Sequence, residues 1–278
     1  MIEGAALALT AAVSGAVAHA MLKSGRDKLV IRGLVGLTGG LLVLPFTLVV
    51  SFPTPALWPW LVFASALHTI YQLVLVRAYD AADFSVAYPL ARGVVPVSTA
   101  LLGIVLLGDR LDVIAWIGVV TVTAGLLLIS LRRAAKWAGL QWAAAAGLLT
   151  TTYTIVDGHA VRLAPDAATF IVWFYILDGA TMFPLAALLR RGRMAALIRA
   201  EGMKGVTAGV VSFVTYSSAL GALRLLPVGA ASALRETSVV FGTAIARFGL
   251  KEQVDARRAV GAVMIALGGA LTIVGLHH

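Results

Sequence analysis

The 278-residue chain contains no cysteine, and only 13% of its residues are charged. Without cysteine there is no disulfide, no thiolate metal site and no thiol switch, and the compartment cannot be read from cysteine usage. A soluble domain is about a quarter charged, so half of the usual polar surface is missing. No stretch is polar enough for a soluble domain, a flexible linker or a low-complexity tail. Acidic residues are the scarcer sign, 13 against 22 basic, for a net charge of +9. That excess does not indicate nucleic acid, because the basic residues sit at the ends of apolar runs, where they set orientation in a bilayer. A Gly-rich phosphate loop, H-E-x-x-H and G-x-S-x-G are all missing, and the five histidines are dispersed apart from His277-His278. Enzyme chemistry, a resident metal and a cofactor are therefore not expected.

What remains is apolar: 60% of residues are hydrophobic and the mean hydropathy is +0.95. A membrane-spanning helix needs about 20 such residues. Ten segments of about that length are legible: 2–22, 29–51, 57–79, 84–107, 113–131, 137–161, 167–189, 203–223, 228–250 and 259–276. They are continuous and rich in Leu, Ala and Val, which favours helices over the ten-residue alternation of barrel strands. The 28 glycines suit close helix contacts in lipid. Ala18-His19-Ala20 has the form of a signal cleavage site, but Glu3 precedes a full-length span with no basic residue before it, so a retained helix is expected.

The chain repeats internally. At an offset of 143 residues, Arg92 meets Arg235, Asp109 meets Glu252, Asp112 meets Asp255, Gly118 meets Gly261 and Gly125 meets Gly268. The repeat unit holds five helices, and an odd number inverts the second copy in the membrane. Inverted repeats are common in secondary transporters, whose sites lie near the midplane between the halves. The expected fold is an all-α integral membrane protein of about ten transmembrane helices in two inverted five-helix repeats, residues 1–135 and 136–278.

One stretch carries a resemblance. Pro96, then LLGDRLDVIAWIG from Leu106 to Gly118, then Gly125, recurs as FGLKEQVDARRAVG from Phe248 to Gly261, then Gly268. This is similar to the EamA branch of the drug/metabolite transporter superfamily. Asp109 stands for the usual Glu, Lys251-Glu252 replaces Gly-Glu-Arg, and Val239 stands where the repeat of Pro96 would fall. The resemblance implies ten helices, a cavity surrounded by helices 1, 3, 4, 6, 8 and 9, transport rather than catalysis, and solutes such as amino acids, other metabolites, nucleotide sugars or drugs.

Ionisable residues inside spans default to functional candidates. Arg92 lies about eight residues into its helix, roughly 12 Å from that end, and the repeat gives Arg235 a similar depth. A guanidinium near the midplane suits a carboxylate or phosphate, which it holds bidentately. Glu236 and Asp178 are candidates for proton coupling, because a desolvated carboxylate can exchange protons near neutral pH. Asp157, near a helix end, is expected to be solvated. His68, Tyr71 and Gln72 share a helix face at i, i+3 and i+4. With His19, Tyr88, Tyr153, Trp173 and Tyr216 they would line a polar cavity with aromatic walls. Gly118, Gly125, Gly261 and Gly268 predict close contact of the fifth and tenth helices.

Sixteen Lys and Arg residues follow odd-numbered segments and three follow even-numbered ones, which puts both termini outside. The resemblance implies cytoplasmic termini. The expected activity is secondary transport, most simply export, of a small polar metabolite bearing a carboxylate, with amino acids the leading class. The expected setting is the bacterial inner membrane, as a monomer exchanging a small solute and a coupling proton. A lipid-linked sugar flippase or an intramembrane enzyme acting on phosphate head groups is the alternative.

Overall fold

The computed structural model describes residues 1–23, 25–81, 91–130, 137–244 and 255–276; the side chains at 19, 20, 23, 79, 80, 137–140 and 244 fall outside that description. Within it the chain is helical and no strand occurs among the described residues. The helices are α1 (Ile2–Lys23), α2 (Lys28–Val43), α3 (Trp58–Ala81), α4 (Val95–Leu107), α5 (Val113–Ser130), α6 (Trp137–Leu163), α7 (Ala167–Leu189), α8 (Met194–Leu225), α9 (Val228–Glu236), α10 (Ser238–Ala244) and α11 (Ala256–Gly275). Six of these regions are long and apolar enough to cross a membrane: 28–48, 58–78, 113–130, 167–189, 194–225 and 256–275. Large apolar side chains such as Leu48, Val49, Val105 and Met203 are exposed on the outside. A surface of that kind fits lipid, not water.

Local chemistry sets the boundaries. Asp27 caps α2, accepting from the Leu29 and Val30 amides at 3.1 and 3.2 Å. Asp166 caps α7 through the Thr169 amide at 2.7 Å, and Asp255 caps α11 through the Arg258 amide at 2.8 Å. A carboxylate at these positions answers the free amides and the positive end of the helix. Pro45 ends the α-geometry of α2, which continues as a 3-10 turn over Leu44–Leu48. Gly108 closes α4 in the left-handed region, φ +69°, which glycine adopts at little steric cost.

Three segments depart from the sequence reading: the eighth, the ninth and the fourth. The eighth segment starts nine residues earlier, so α8 is 32 residues, about 48 Å long against a hydrocarbon core of about 30 Å. Its basic first turns are helical because Glu201 is buried there and accepts from the Arg26 amide at 3.0 Å. The ninth segment is interrupted at Thr237, whose hydroxyl donates to Leu234 O at 2.6 Å. The same interruption falls at Val94, between helical residues 91–93 and α4. Positions 94 and 237 are again 143 apart. Pro96 accounts for the first break by lacking an amide hydrogen. In the second, Val239 occupies the proline's place and Thr237 supplies the break.

Five helix contacts between the repeats are α1 on α8, α3 on α6, α2 on α7, α4 on α9 and α5 on α11; α2 also packs on α8. Exchanging the two repeats turns α1/α8 into α6/α3 and leaves the other three pairs unchanged. The α5/α11 contact is glycine on glycine. A Cβ on Gly125 would stand 2.8 Å from Gly261 O, and one on Gly268 would stand 2.7 Å from Gly118 O. The backbones therefore touch, as the four glycines predict.

Candidate functional site

A cavity of about 130 Å³ lies among α1, α2, α3, α6, α7, α8, α9 and the start of α10, near the interruptions after Arg92 and Arg235. Of the residues singled out in the sequence, His68, Tyr71, Gln72, Arg92, Tyr153, Asp178, Tyr216 and Arg235 line it. Arg32, Phe174, Tyr175 and Ser238 also line it, and were not anticipated. Helices 2 and 7 thus join those that the resemblance implied.

The charges in this cavity are arranged unequally. Arg92 is buried and its Nε donates to both oxygens of Glu236, at 3.0 and 3.3 Å. The pair joins the two repeats at their interruptions. The sequence reading gives Arg92 to a substrate carboxylate and Glu236 to a coupling proton; in the structure each engages the other. Adjacent helix positions point about 100° apart, so Glu236 reaches Arg92 while Arg235 turns into the cavity. Among the described residues nothing hydrogen-bonds or ion-pairs with the Arg235 guanidinium. Arg32, counted as a loop charge in the sequence, also lines the cavity, and its buried Nε has no described partner. Asp178 is buried and accepts from Gln72 Nε2 at 3.3 Å.

Facing the arginines is an aromatic and imidazole wall. The His68 ring lies 4.1 Å from Tyr153, 4.9 Å from Phe174 and 5.0 Å from Tyr216. Behind it, Asp157 is completely buried. Its Oδ2 accepts from the Tyr216 hydroxyl at 2.6 Å and lies 2.9 Å from His68 Nε2. Asp157 was expected in solvent. Because α6 continues to Leu163 and packs on α3, its carboxylate is carried inside instead. A histidine on one helix and an acid at a similar depth on another were the available signal, but sequence does not give the helix pairing.

One candidate is not brought to the cavity, and two fall outside the description. Trp173 is directed elsewhere: its Nε1 donates to Ser51 O at 3.2 Å, and its ring meets Phe52 at 5.0 Å and Trp58 at 5.7 Å. Its indole needs a partner for its N–H, and the loop before α3 supplies one. Tyr88 and the side chain of His19 lie outside the described residues. No cluster of three or more metal-ligating side chains occurs among the described residues.

The motif residue Asp109 has a structural task. Arg162 donates to it at 2.6 and 3.4 Å, and the Val228 amide at the start of α9 donates to it at 2.6 Å. Asp109 thereby fastens the first repeat to the second.

Interrupted helices in both repeats, apolar outer faces and a charged interior cavity define a membrane carrier. The family model of EamA-like transporters matches twice, over residues 2–131 and 137–274. The chain belongs to the EamA-like transporter family, with its two-repeat architecture, and is a multi-pass integral membrane protein of the drug/metabolite transporter type. Twenty-nine chains of solved structures match it. One, described as "Crystal structure of protein", aligns with a TM-score of 0.74 over 97% of this chain and 98% of that chain, at 18% identity; this shows a shared fold. Comparison with curated proteins gives no match.

Proposed function

We propose that this protein is a secondary transporter that exports small zwitterionic metabolites, amino acids foremost, by alternating access of one central cavity. In this reading the bundle has ten membrane-spanning helices in two inverted repeats, residues 1–135 and 136–278, sits in a bacterial inner membrane and works as a monomer. The observation that carries the proposal is the unequal use of the two repeat-related arginines. Arg92 is neutralised by Glu236, whereas Arg235 faces the cavity with no described partner. A guanidinium kept unpaired inside a membrane protein is costly unless a ligand completes it. A carboxylate completes it in bidentate fashion. Asp178, on the same cavity, offers the opposite charge to a substrate ammonium, and the tyrosines provide apolar walls with polar edges. A cavity of about 130 Å³ favours a small solute.

The direct test is uptake of each of the twenty common amino acids, radiolabelled, into proteoliposomes. Flux above empty vesicles is expected for at least one, and Arg235→Ala should abolish it while the protein stays monodisperse. If none of the twenty is carried, the substrate class is wrong.

A further inference from the structure

Asp157, His68 and Tyr216 form a closed polar triangle that the substrate reading leaves unused. They come from three helices, α6, α3 and α8. Tyr216 Oη lies 2.6 Å from Asp157 Oδ2, and His68 Nε2 lies 2.9 Å from both of those oxygens. With Asp157 ionised, the contact with His68 is a hydrogen bond only if Nε2 carries the proton. One carboxylate oxygen then takes two donors, while Asp157 Oδ1, equally buried, takes none among the described residues. A buried carboxylate oxygen without a donor is a vacant proton seat, and so is His68 Nδ1. His68 lines the cavity, so water or solute in the cavity meets the triangle through its ring. Glu236 differs, because Arg92 engages both of its oxygens.

We propose that the His68–Asp157–Tyr216 triangle is the proton-binding site of this transporter, and that its proton competes with the cationic end of the substrate. When a proton enters, it adds to a lone pair on Asp157 Oδ1 or His68 Nδ1, and the triangle gains one positive charge. When it leaves, it returns to water in the cavity. The charged groups around the triangle set the sign of the coupling. Asp178 on α7 is close enough to interact electrostatically with His68, and Arg92 and Arg235 act on Tyr153 beside it. Arg32 on α2 acts on Asp178, and Tyr71 packs on Tyr153 beside the triangle. With the substrate carboxylate on Arg235, its ammonium is left to Asp178, next to His68. An added charge on the triangle repels that ammonium, and by reciprocity the bound ammonium expels the proton. Mutual exclusion of proton and substrate is the requirement for antiport.

The coupling, though not the proton site, rests on the transport reading above, so the test has two arms. The first needs no substrate. Infrared difference spectra of the purified protein between pH 5 and 8 should show a carboxyl band that titrates in the wild type and is missing from Asp157→Asn. His68→Gln keeps a donor to Asp157 and removes Nδ1, so a band that persists in it puts the proton on the carboxylate. A histidine signal lost only in His68→Gln puts it on the ring. If Asp157→Asn does not fold, Tyr216→Phe, which deletes one hydroxyl, should move the titration midpoint. Wild-type spectra without a titrating carboxyl or imidazole signal, or signals identical in all three variants, overturn the proton site.

The second arm uses vesicles at pH 6 inside and pH 8 outside, with an equimolar mixture of the twenty common L-amino acids. Wild type should accumulate label inside, up to about tenfold per pH unit for one-for-one exchange. Asp157→Asn should exchange label without accumulating it. Accumulation by Asp157→Asn equal to wild type overturns the coupling. A wild type that titrates in the first arm but carries nothing in the second retains the proton site and overturns the transport reading.

Discussion

Arg162 and Arg224 cap each other's helices. Arg162, in the last turn of α6, donates to Leu223 O at 3.0 Å and Leu226 O at 2.7 Å, at the end of α8. Arg224, in the last turn of α8, donates to Val161 O at 2.5 Å and to Ala164 O and Pro165 O at 3.0 Å, at the end of α6. Each guanidinium answers carbonyls that a helix end leaves open, and each lies at the negative pole of the neighbouring helix. Arg162 also holds Asp109.

The two arginines are therefore unequal in consequence. Arg162→Ala uncaps α8 and strands Asp109, which among the described residues keeps the Val228 amide as its one donor. We expect it to lower stability by about 2 kcal/mol, because the pair is part-buried and Asp109 loses a charge-assisted hydrogen bond. Arg224→Ala loses, among the described residues, carbonyl partners alone and should cost about 1 kcal/mol. Thermal melts in detergent compare them, and equal losses would contradict the role given to Asp109.

The Arg92–Glu236 pair predicts a stability defect at Arg92, not a purely functional one. Arg92→Ala leaves Glu236, 2% exposed, without its hydrogen-bonded partner and with only the charge of Arg235 acting on it, at a cost of about 3 kcal/mol. Replacing both by Met should recover most of that loss. Size-exclusion profiles and melting curves should rank Arg92→Ala lowest, the double variant above it, and Arg235→Ala beside wild type. An Arg92→Ala protein as stable as wild type would falsify the structural role of the pair.

The α5/α11 contact is set by glycine. Even Gly125→Ala places a methyl 2.8 Å from Gly261 O, and separating two packed helices should cost about 1–3 kcal/mol. Gly242→Ala meets no atom of the described residues within 4 Å and is the matched control, with no change expected. The melting temperatures of the two variants settle the matter, and equal values would mean that the backbones are not in contact.

Asp27 carries a pH prediction at the mouth of α2. Burial acts to raise its carboxyl pKa. The hydrogen bond and charge of Arg190, at 2.6 Å, and the amides of Val30 and Leu29 outweigh this and hold it below the usual value of 3.8. A group whose folded pKa is depressed contributes stability above its unfolded pKa and loses it as pH falls through the folded one. The contribution should be intact at neutral pH and fade below about pH 4. Asp27→Asn keeps a capping side chain, so at neutral pH its cost should stay within about 1 kcal/mol, and its melting temperature should fall less on acidification than that of wild type. Parallel acid limbs would show that Asp27 contributes no charge-dependent stability.

Class and repetition were legible in the sequence because each leaves a one-dimensional signature. Lipid demands runs of apolar residues that satisfy their own backbone hydrogen bonds, and duplication leaves matched residues at a constant offset. The glycines of α5 and α11 were readable for the same reason: close approach in a membrane requires small residues whatever the partner. The use of each buried charge was decided only by tertiary structure. Arg92 and Arg235 occupy equivalent positions in the repeat, yet Glu236 follows only the second, and the turn of α9 hands that acid to Arg92. Asp157 reads as a residue near a helix end until α6 packs on α3 and brings it against His68 and Tyr216. Trp173 reads as deep in its span until the loop before α3 takes its indole. In each case the deciding quantity is which side chain lies opposite on another helix. Charge pairing and desolvation act over a few ångströms between groups that are 89 (His68 and Asp157) or 144 (Arg92 and Glu236) residues apart in the chain, and no periodicity along a single helix encodes them.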